Sequence, residues 1–288
     1  MRDITYPPVI VTAKVLFKAL GQKFQLSGTD NVPKTGGALL AINHTGYVDF
    51  IYGGLGANPS KRLVRFMIKK EMMDAPGVGH LLRSFHHITV DRSAGAQSML
   101  DAKAYLKAGE VVGIYPEATI SRSFEIKELK VGAVKIAAET GVPLIPVIVW
   151  GAHRLMTKDH EKDFSRKRKT IAVKVGEPMY PTGEDLAAET AALRAAMQTM
   201  LDEVIAEYPE DEKAPGSWWT PARFGGSAPP PRRPSRWTPP SSRSGPPSVR
   251  PRLPRSAPAR KASKLTDISV CRLVALSTIS VSAGQPGG

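Results

Sequence analysis

Cysteine is almost missing from this chain. Cys271 is the only one, so no intrachain disulfide forms, which suits a reducing compartment. Cysteine nucleophiles and cysteine-based zinc sites are excluded from everything before it. Long apolar runs are missing too, and without about 18 consecutive apolar residues there is no plain membrane span. The longest candidate, "VPLIPVIVWGA", is short and carries two prolines, and the opening "MRDITYPPVI" has no signal-peptide core. No "GxSxG" elbow occurs. A serine or cysteine nucleophile of the usual kinds is therefore not offered by the body of the protein.

Charge is unevenly spread. The whole chain carries a formal +14, but residues 214–288 hold ten Arg and two Lys against one Asp, leaving about +3 for residues 1–213. That terminal stretch, with "SAPPPRRPSRWTPPSSRSGPPSVRPRLPRSAPARKAS" at its centre, is Pro, Arg and Ser with little to build a core, and reads as disordered. An out-of-frame reading of G+C-rich coding DNA gives the same composition. If native, such a tail has the chemistry to bind nucleic acid or acidic lipid.

The first 213 residues alternate strand-like and helix-like patterns. Residues 1–24 contain an amphipathic helix opening after Pro8, with Val11, Val15, Leu16, Ala19 and Leu20 on one face and Lys14 and Lys18 on another. Two readings fit: a helix packed on its own domain, or one lying in a membrane interface. Strands are expected at 24–27, up to Ile42, and within "RLVRFMIKK", "HHITV", "VVGIY", "PLIPVIVW" and "TIAVKV". Helices are expected from Ser93 to about Lys107, from about Glu128 to Thr140, and from a capping-box-like Thr182 and Asp185 up to Pro209. The pattern predicts an α/β fold over residues 25–213: one domain, a mostly buried mixed sheet flanked by helices.

Two His-x4-Asp pairs occur, His44…Asp49 and His86…Asp91. In "HHITVD" an odd offset along a strand sends the two side chains to opposite faces. "NHTGYVD" instead follows an apolar strand, with Gly46 allowing a sharp turn and a helix beginning near Tyr47, so His44 and Asp49 can meet. A neutral imidazole takes up a proton near physiological pH, and a carboxylate on its other nitrogen fixes the tautomer. With no nucleophile in the domain, the simplest completion is a substrate hydroxyl or amine deprotonated by His44. The plain alternative is a hydrogen-bonded pair in a turn.

The ordered set "NHTGYVD", "ITVDR", "YPEATISRS" and "VPLIPVIVWG" resembles the glycerophospholipid acyltransferase family, in particular its bacterial 1-acylglycerol-3-phosphate acyltransferases, from about Gly28 to Pro178. The resemblance implies that His44 is the general base and Asp49 its orienting partner. Arg92 would contact the acceptor phosphate, Glu117 and Thr119 would lie at the acceptor pocket, and Val142, Pro143, Ile145 and Pro146 would be acyl-pocket or structural residues. It implies acyl-CoA or acyl-carrier protein as co-substrate, no cofactor and no metal, and membrane lipids as partners at the cytoplasmic face of the cell membrane. No specific nucleic-acid partner is implied.

The third block departs from the usual "FPEGTRS". Ala118 replaces Gly, a mild change if the backbone there is not left-handed. Ile120 replaces an Arg, removing a permanent charge from a phosphate site. Arg122, two residues on in an extended segment, would point to the same side and take over the contact. Lys61, Arg62, Arg65, Lys69 and Lys70 form a further basic group, either a solvated face or an attraction for anionic lipid or an acidic carrier. Two other functions stay open at this point: transfer to a different lysolipid or glycolipid, and binding of lipid or nucleic acid through the tail.

Overall fold

The structure is a computed structural model and describes residues 3–91, 93 and 95–231. Its centre is a seven-stranded sheet of β1 (Gln22–Ser27), β2 (Ala38–Ile42), β3 (Val64–Lys69), β4 (Ile88–Val90), β5 (Val111–Ile114), β6 (Leu144–Trp150) and β7 (Lys169–Val175), in the order β1-β7-β6-β2-β5-β3-β4. Strands β2 to β6 run parallel, while β7 is antiparallel to β6 and parallel to β1. The sheet is therefore mixed, as the sequence leads one to expect. All of β2 is buried, because helices cover both faces. Leu40 and Ile42 face one core and Leu39 and Ala41 the other, the two-residue alternation of a strand sandwiched between layers.

Helices α1 (Tyr6–Ala19), α2 (Asp49–Gly53), α3 (Lys70–Met73), α4 (Val78–Ser84), α5 (Gly95–Lys107), α6 (Gly132–Thr140) and α7 (Leu186–Ala206) make the outer layers. Phe17, Tyr52, Val78 and Leu82 pack from α1, α2 and α4 on one face. Leu106, Ile136, Leu193, Met197 and Leu201 pack from α5, α6 and α7 on the other.

Several expectations need correcting. Helix α1 starts at Tyr6, with its prolines in the first turn where a missing N–H costs nothing. It buries Val9 and Phe17 and leaves Val11 and Val15 exposed. A helix this apolar on most sides offers no clean periodicity from which to choose its packed face. The cap of α7 is Asp185, whose carboxylate accepts from Ala187 and Ala188 N–H (3.0 and 2.9 Å), while Glu189 reaches back to Thr182. The N-cap is thus three residues later than the expected Thr182, and Glu189 ties down the residues before it rather than closing a capping box.

The basic group at 61–70 does not form one surface. Arg65 is buried between Asp3 (2.7 Å) and Glu110 (3.1 Å), and Arg62 donates to the carbonyls of Pro33, Gly36 and Gly109. Lys70 pairs with Asp74. The β-strand alternation that turns Arg65 inward disperses the set.

The folded body also continues past 213. Trp219 and Ala228 are buried, Arg154 lies over the Trp219 ring at 4.4 Å, and Arg223 pairs with Asp202 and with Glu125. Residues 214–231 thus cover the α7 layer, although their Pro and Gly content reads as tail. The rest of that region, residues 232–288, lies outside the described residues.

Candidate active site

Parallel strands deliver their carboxyl ends to one edge of a sheet, and loops leaving that edge are where α/β proteins collect chemistry. Here β2 ends at Asn43-His44, β5 at Tyr115-Pro116-Glu117, β3 at Lys69 and β6 in the segment that runs on to Lys158.

Asn43 is fully buried, and its side chain is turned away from the imidazole toward β6. Its side chain accepts from Val149 N–H (2.7 Å) and donates to Val149 C=O (3.1 Å), prolonging the β2–β6 ladder by one side-chain pair. That fixes the exit angle of the chain at His44. Nothing in the spacing of the motif distinguishes this amide from a surface Asn.

His44 and Asp49 meet as expected. His44 Nδ1 lies 3.1 Å from Asp49 Oδ2, which also accepts from Thr45 N–H (2.7 Å) and Gly46 N–H (2.8 Å). An oxygen facing two other donors can only accept, so Nδ1 carries the proton and Nε2 keeps its lone pair. Nε2 has no partner among the described residues, and the side chain is 21% exposed against 0% for Asp49. One nitrogen is anchored inside and the other faces outward. The ring stacks on Tyr115 at 4.3 Å and 28°, which removes its remaining rotational freedom. Gly46 is required by space: a Cβ there would stand 2.8 Å from Met156 O and 3.1 Å from His153 Cα.

Three further contacts fix the turn. His44 N–H donates to Glu117 Oε1 (2.9 Å), His44 C=O accepts from Ser121 N–H (2.7 Å), and Thr157 Oγ1 donates to Thr45 C=O (2.6 Å). Glu117 is buried, and its second oxygen accepts from Lys127 N–H at 3.3 Å. Both oxygens are thus committed to backbone amides, and Glu117 braces His44. Burial pushes its carboxyl up to about 7, against the opposing pull of the two amides and Lys127.

The third block holds two surprises. Ala118 sits at φ 60°, in the left-handed region, so the replacement of glycine is strained rather than mild. Ile120 is buried while Arg122 is exposed, because the segment turns at this point and does not run extended. The two therefore do not share a side. Arg122 pairs with Asp159 at the rim. Thr119 accepts from Lys127 Nζ with both its hydroxyl and its carbonyl, which brings in a lysine that the sequence reading missed. Arg92 lies outside the described residues.

Val142 and Pro143 precede β6, and Ile145 and Pro146 lie in its first half, away from the strand end that leads to Lys158. Ile145 is in the core, Pro143 C=O accepts from Leu39 N–H (2.9 Å) and Pro146 C=O from Gly176 N–H (2.8 Å). The second pair differs in form as well: His86 adopts φ 55° ahead of β4, and Asp91 accepts from Ser93 N–H at 2.8 Å. Among the described residues no group of three or more His, Cys, Asp or Glu could hold a metal ion.

Comparison with known proteins fits this geometry. An acyltransferase family model matches residues 23–150. A 1-acyl-sn-glycerol-3-phosphate acyltransferase of Bacillus subtilis is 34% identical over 179 residues, covering 59% of this chain and 84% of that protein. One from Borreliella burgdorferi is 27% identical, over 51% of this chain and 58% of its own length. The crystal structure of the LPA acyltransferase PlsC from Thermotoga maritima superposes with a TM-score of 0.59 at 22% identity, covering 71% of this chain and 81% of that one, a likeness of fold. The chain belongs to the acyltransferase family and is an acyltransferase of the 1-acylglycerol-3-phosphate type.

Proposed function

We propose that the protein transfers a fatty acyl group from a thioester, acyl-CoA or acyl-carrier protein, to the free hydroxyl of lysophosphatidic acid, giving phosphatidic acid. The observation that carries the reading is the His44–Asp49 contact at 3.1 Å with Nε2 left open. Nε2 takes the hydroxyl proton as the oxygen attacks the thioester carbonyl. Asp49 stabilises the imidazolium through Nδ1–H. When the tetrahedral intermediate collapses, the C–S bond breaks and the imidazolium returns the proton to the departing thiolate. No acyl-enzyme forms, since the nucleophile is the acceptor itself. Thr119 and Arg92 stand on this reading as acceptor-site residues, with Arg122 at the rim.

Both substrates carry long apolar chains, and the molecule has surfaces suited to them. An apolar cavity between α1, α2 and α4 is lined by Val9, Ala13, Phe50, Ile51, Leu55 and Leu82, with Phe50 and Ile51 directly after Asp49. Ile4, Val11 and Val15 are exposed, as are Phe24 and Leu26 of edge strand β1, and Lys14 and Lys18 lie nearby in sequence. Among the described residues no helix is long and apolar enough to cross a membrane. A peripheral placement on the cytoplasmic face of the membrane, with α1 in the interface, suits these features.

The test is thiol release from acyl-CoA, with and without lysophosphatidic acid, for wild type, His44→Ala and a chain ending at residue 231. Acceptor-dependent release that survives the truncation and falls by several orders of magnitude in His44→Ala is expected. Undiminished release in the substituted protein would end the general-base reading. Wild-type preference for a glycolipid or another lysolipid would change the acceptor and leave the chemistry standing.

A further inference from the structure

The folded body is nearly neutral, yet cations gather at the edge of the sheet from which His44 emerges. Arg122 and Lys127 come from the loop after β5, Lys69 from the end of β3 and Lys158 from the segment after β6. Arg122 is engaged by Asp159 and Lys127 by Thr119. Lys158 makes no hydrogen bond or ion pair among the described residues, although it is only partly exposed. Its position is set by contacts on both sides in the chain. Thr157 is bonded to Thr45, Met156 C=O accepts from Tyr47 N–H (3.0 Å), Asp159 is paired with Arg122, and the His160 ring stacks on Trp218 at 3.9 Å. The backbone of Lys158 is thus bolted to the very turn that carries the dyad.

We propose that Lys158 is a ligand for the phosphate monoester of the acceptor, holding it between the loop after β6 and the cations of the loop after β5. This rests on the acceptor reading of the preceding subsection. In a lysophosphatidic acid the reacting hydroxyl and the phosphate sit on neighbouring glycerol carbons. With the hydroxyl at His44 Nε2, the phosphate lies only a few bonds from that nitrogen, and the loop carrying Lys158 is tied to the same turn through residues 45 and 47. Ile120, buried, supplies no charge there. An ammonium drawn partly out of water among like charges is a group whose environment favours an anion. Consistent with that setting, burial and then Arg122, Lys69 and Lys127 hold Lys158 below the ordinary lysine range. A phosphate carries the charge to satisfy several of these cations at once.

The experiment compares the wild type with Lys158→Met and Lys158→Arg as full chains. KM is measured for lysophosphatidic acid at saturating acyl-CoA, and for acyl-CoA at saturating lysophosphatidic acid. Loss of a charge-assisted contact to phosphate predicts a rise of roughly tenfold or more in the acceptor KM of Lys158→Met. The fall in kcat is expected to be much smaller, the donor KM unaltered, and most of the loss recovered in Lys158→Arg. If the Met variant does not fold, Lys158→Gln, a shorter neutral side chain, takes its place. An unchanged acceptor KM, or a rise confined to the donor KM, overturns the inference, the latter because the phosphates contacted are then those of the donor. An Arg variant as impaired as Met also overturns it, since charge is then not what matters. These outcomes leave the transfer reaction standing. A wild type that acylates neutral alcohols and not lysophosphatidic acid removes both the acceptor reading and this inference.

Discussion

Glu117→Gln should abolish a component of stability that falls as pH rises. In the folded chain burial pushes the Glu117 carboxyl up from an ordinary 4.5 to about 7. Below about pH 4.5 the group is protonated folded or unfolded, and the folded state keeps its full stability. Above that, the unfolded chain ionises freely while the folded one resists, so stability drains away until the folded group itself ionises near 7. At about 1.36 kcal/mol for each pH unit of that gap, the loss is about 3 kcal/mol between pH 4.5 and pH 7, with little change beyond. Gln cannot ionise and retains a carbonyl oxygen for His44 N–H. Urea unfolding of both proteins at intervals from about pH 5 to pH 8 gives the difference in stability, wild type minus variant, which should fall by most of that amount. A flat difference would refute the argument, because it would mean that the buried carboxylate is compensated already at pH 5.

Asn43→Ala leaves Val149 N–H and C=O buried without their side-chain partners, which should cost about 3 kcal/mol in denaturant unfolding and lower kcat as His44 loses its anchor. Ala118→Gly relieves a left-handed alanine and should raise stability by about 1 kcal/mol, read as a higher urea midpoint. Trp219→Ala removes a buried indole covering the core near Trp150 and Tyr208, and the cation–π contact of Arg154; a loss of about 3–5 kcal/mol is expected, seen as a lower thermal midpoint.

Most of the sheet could be read from the chain because its central strands are continuous apolar runs with buried neighbours on both sides. The dyad was legible for a different reason: its partners lie five residues apart, and the intervening Gly46 selects a turn over a strand. What escaped was set by long-range contact. Lys127 and Lys158 are ordinary lysines in sequence and become site residues only through the loops that carry them. Arg62 and Arg65 look like surface charge until Asp3, Glu110 and a row of carbonyls arrive from elsewhere. Arg122 departs from the expected side because the chain turns between Ile120 and Phe124, and no Gly or Pro in that stretch signals the turn. The segment 214–231 was lost to its Pro and Gly, although adjacent Trp218 and Trp219 were a signal of burial that composition alone obscured.

The two partners of the dyad are five residues apart, yet what aims them comes from far off: Glu117 at a separation of 73, Val149 at 106 from Asn43, and Thr157 at 112 from Thr45. The motif is therefore portable in sequence and not in function. A peptide or designed scaffold given "NHTGYVD" could reproduce the carboxylate folding back on its two amides, since those contacts are local. It would lack the side-chain ladder, the brace and the bolt that point Nε2 outward, and would be a poor base until a neighbouring strand and two distant loops were supplied with it. Transplanting this chemistry means transplanting an edge of a sheet.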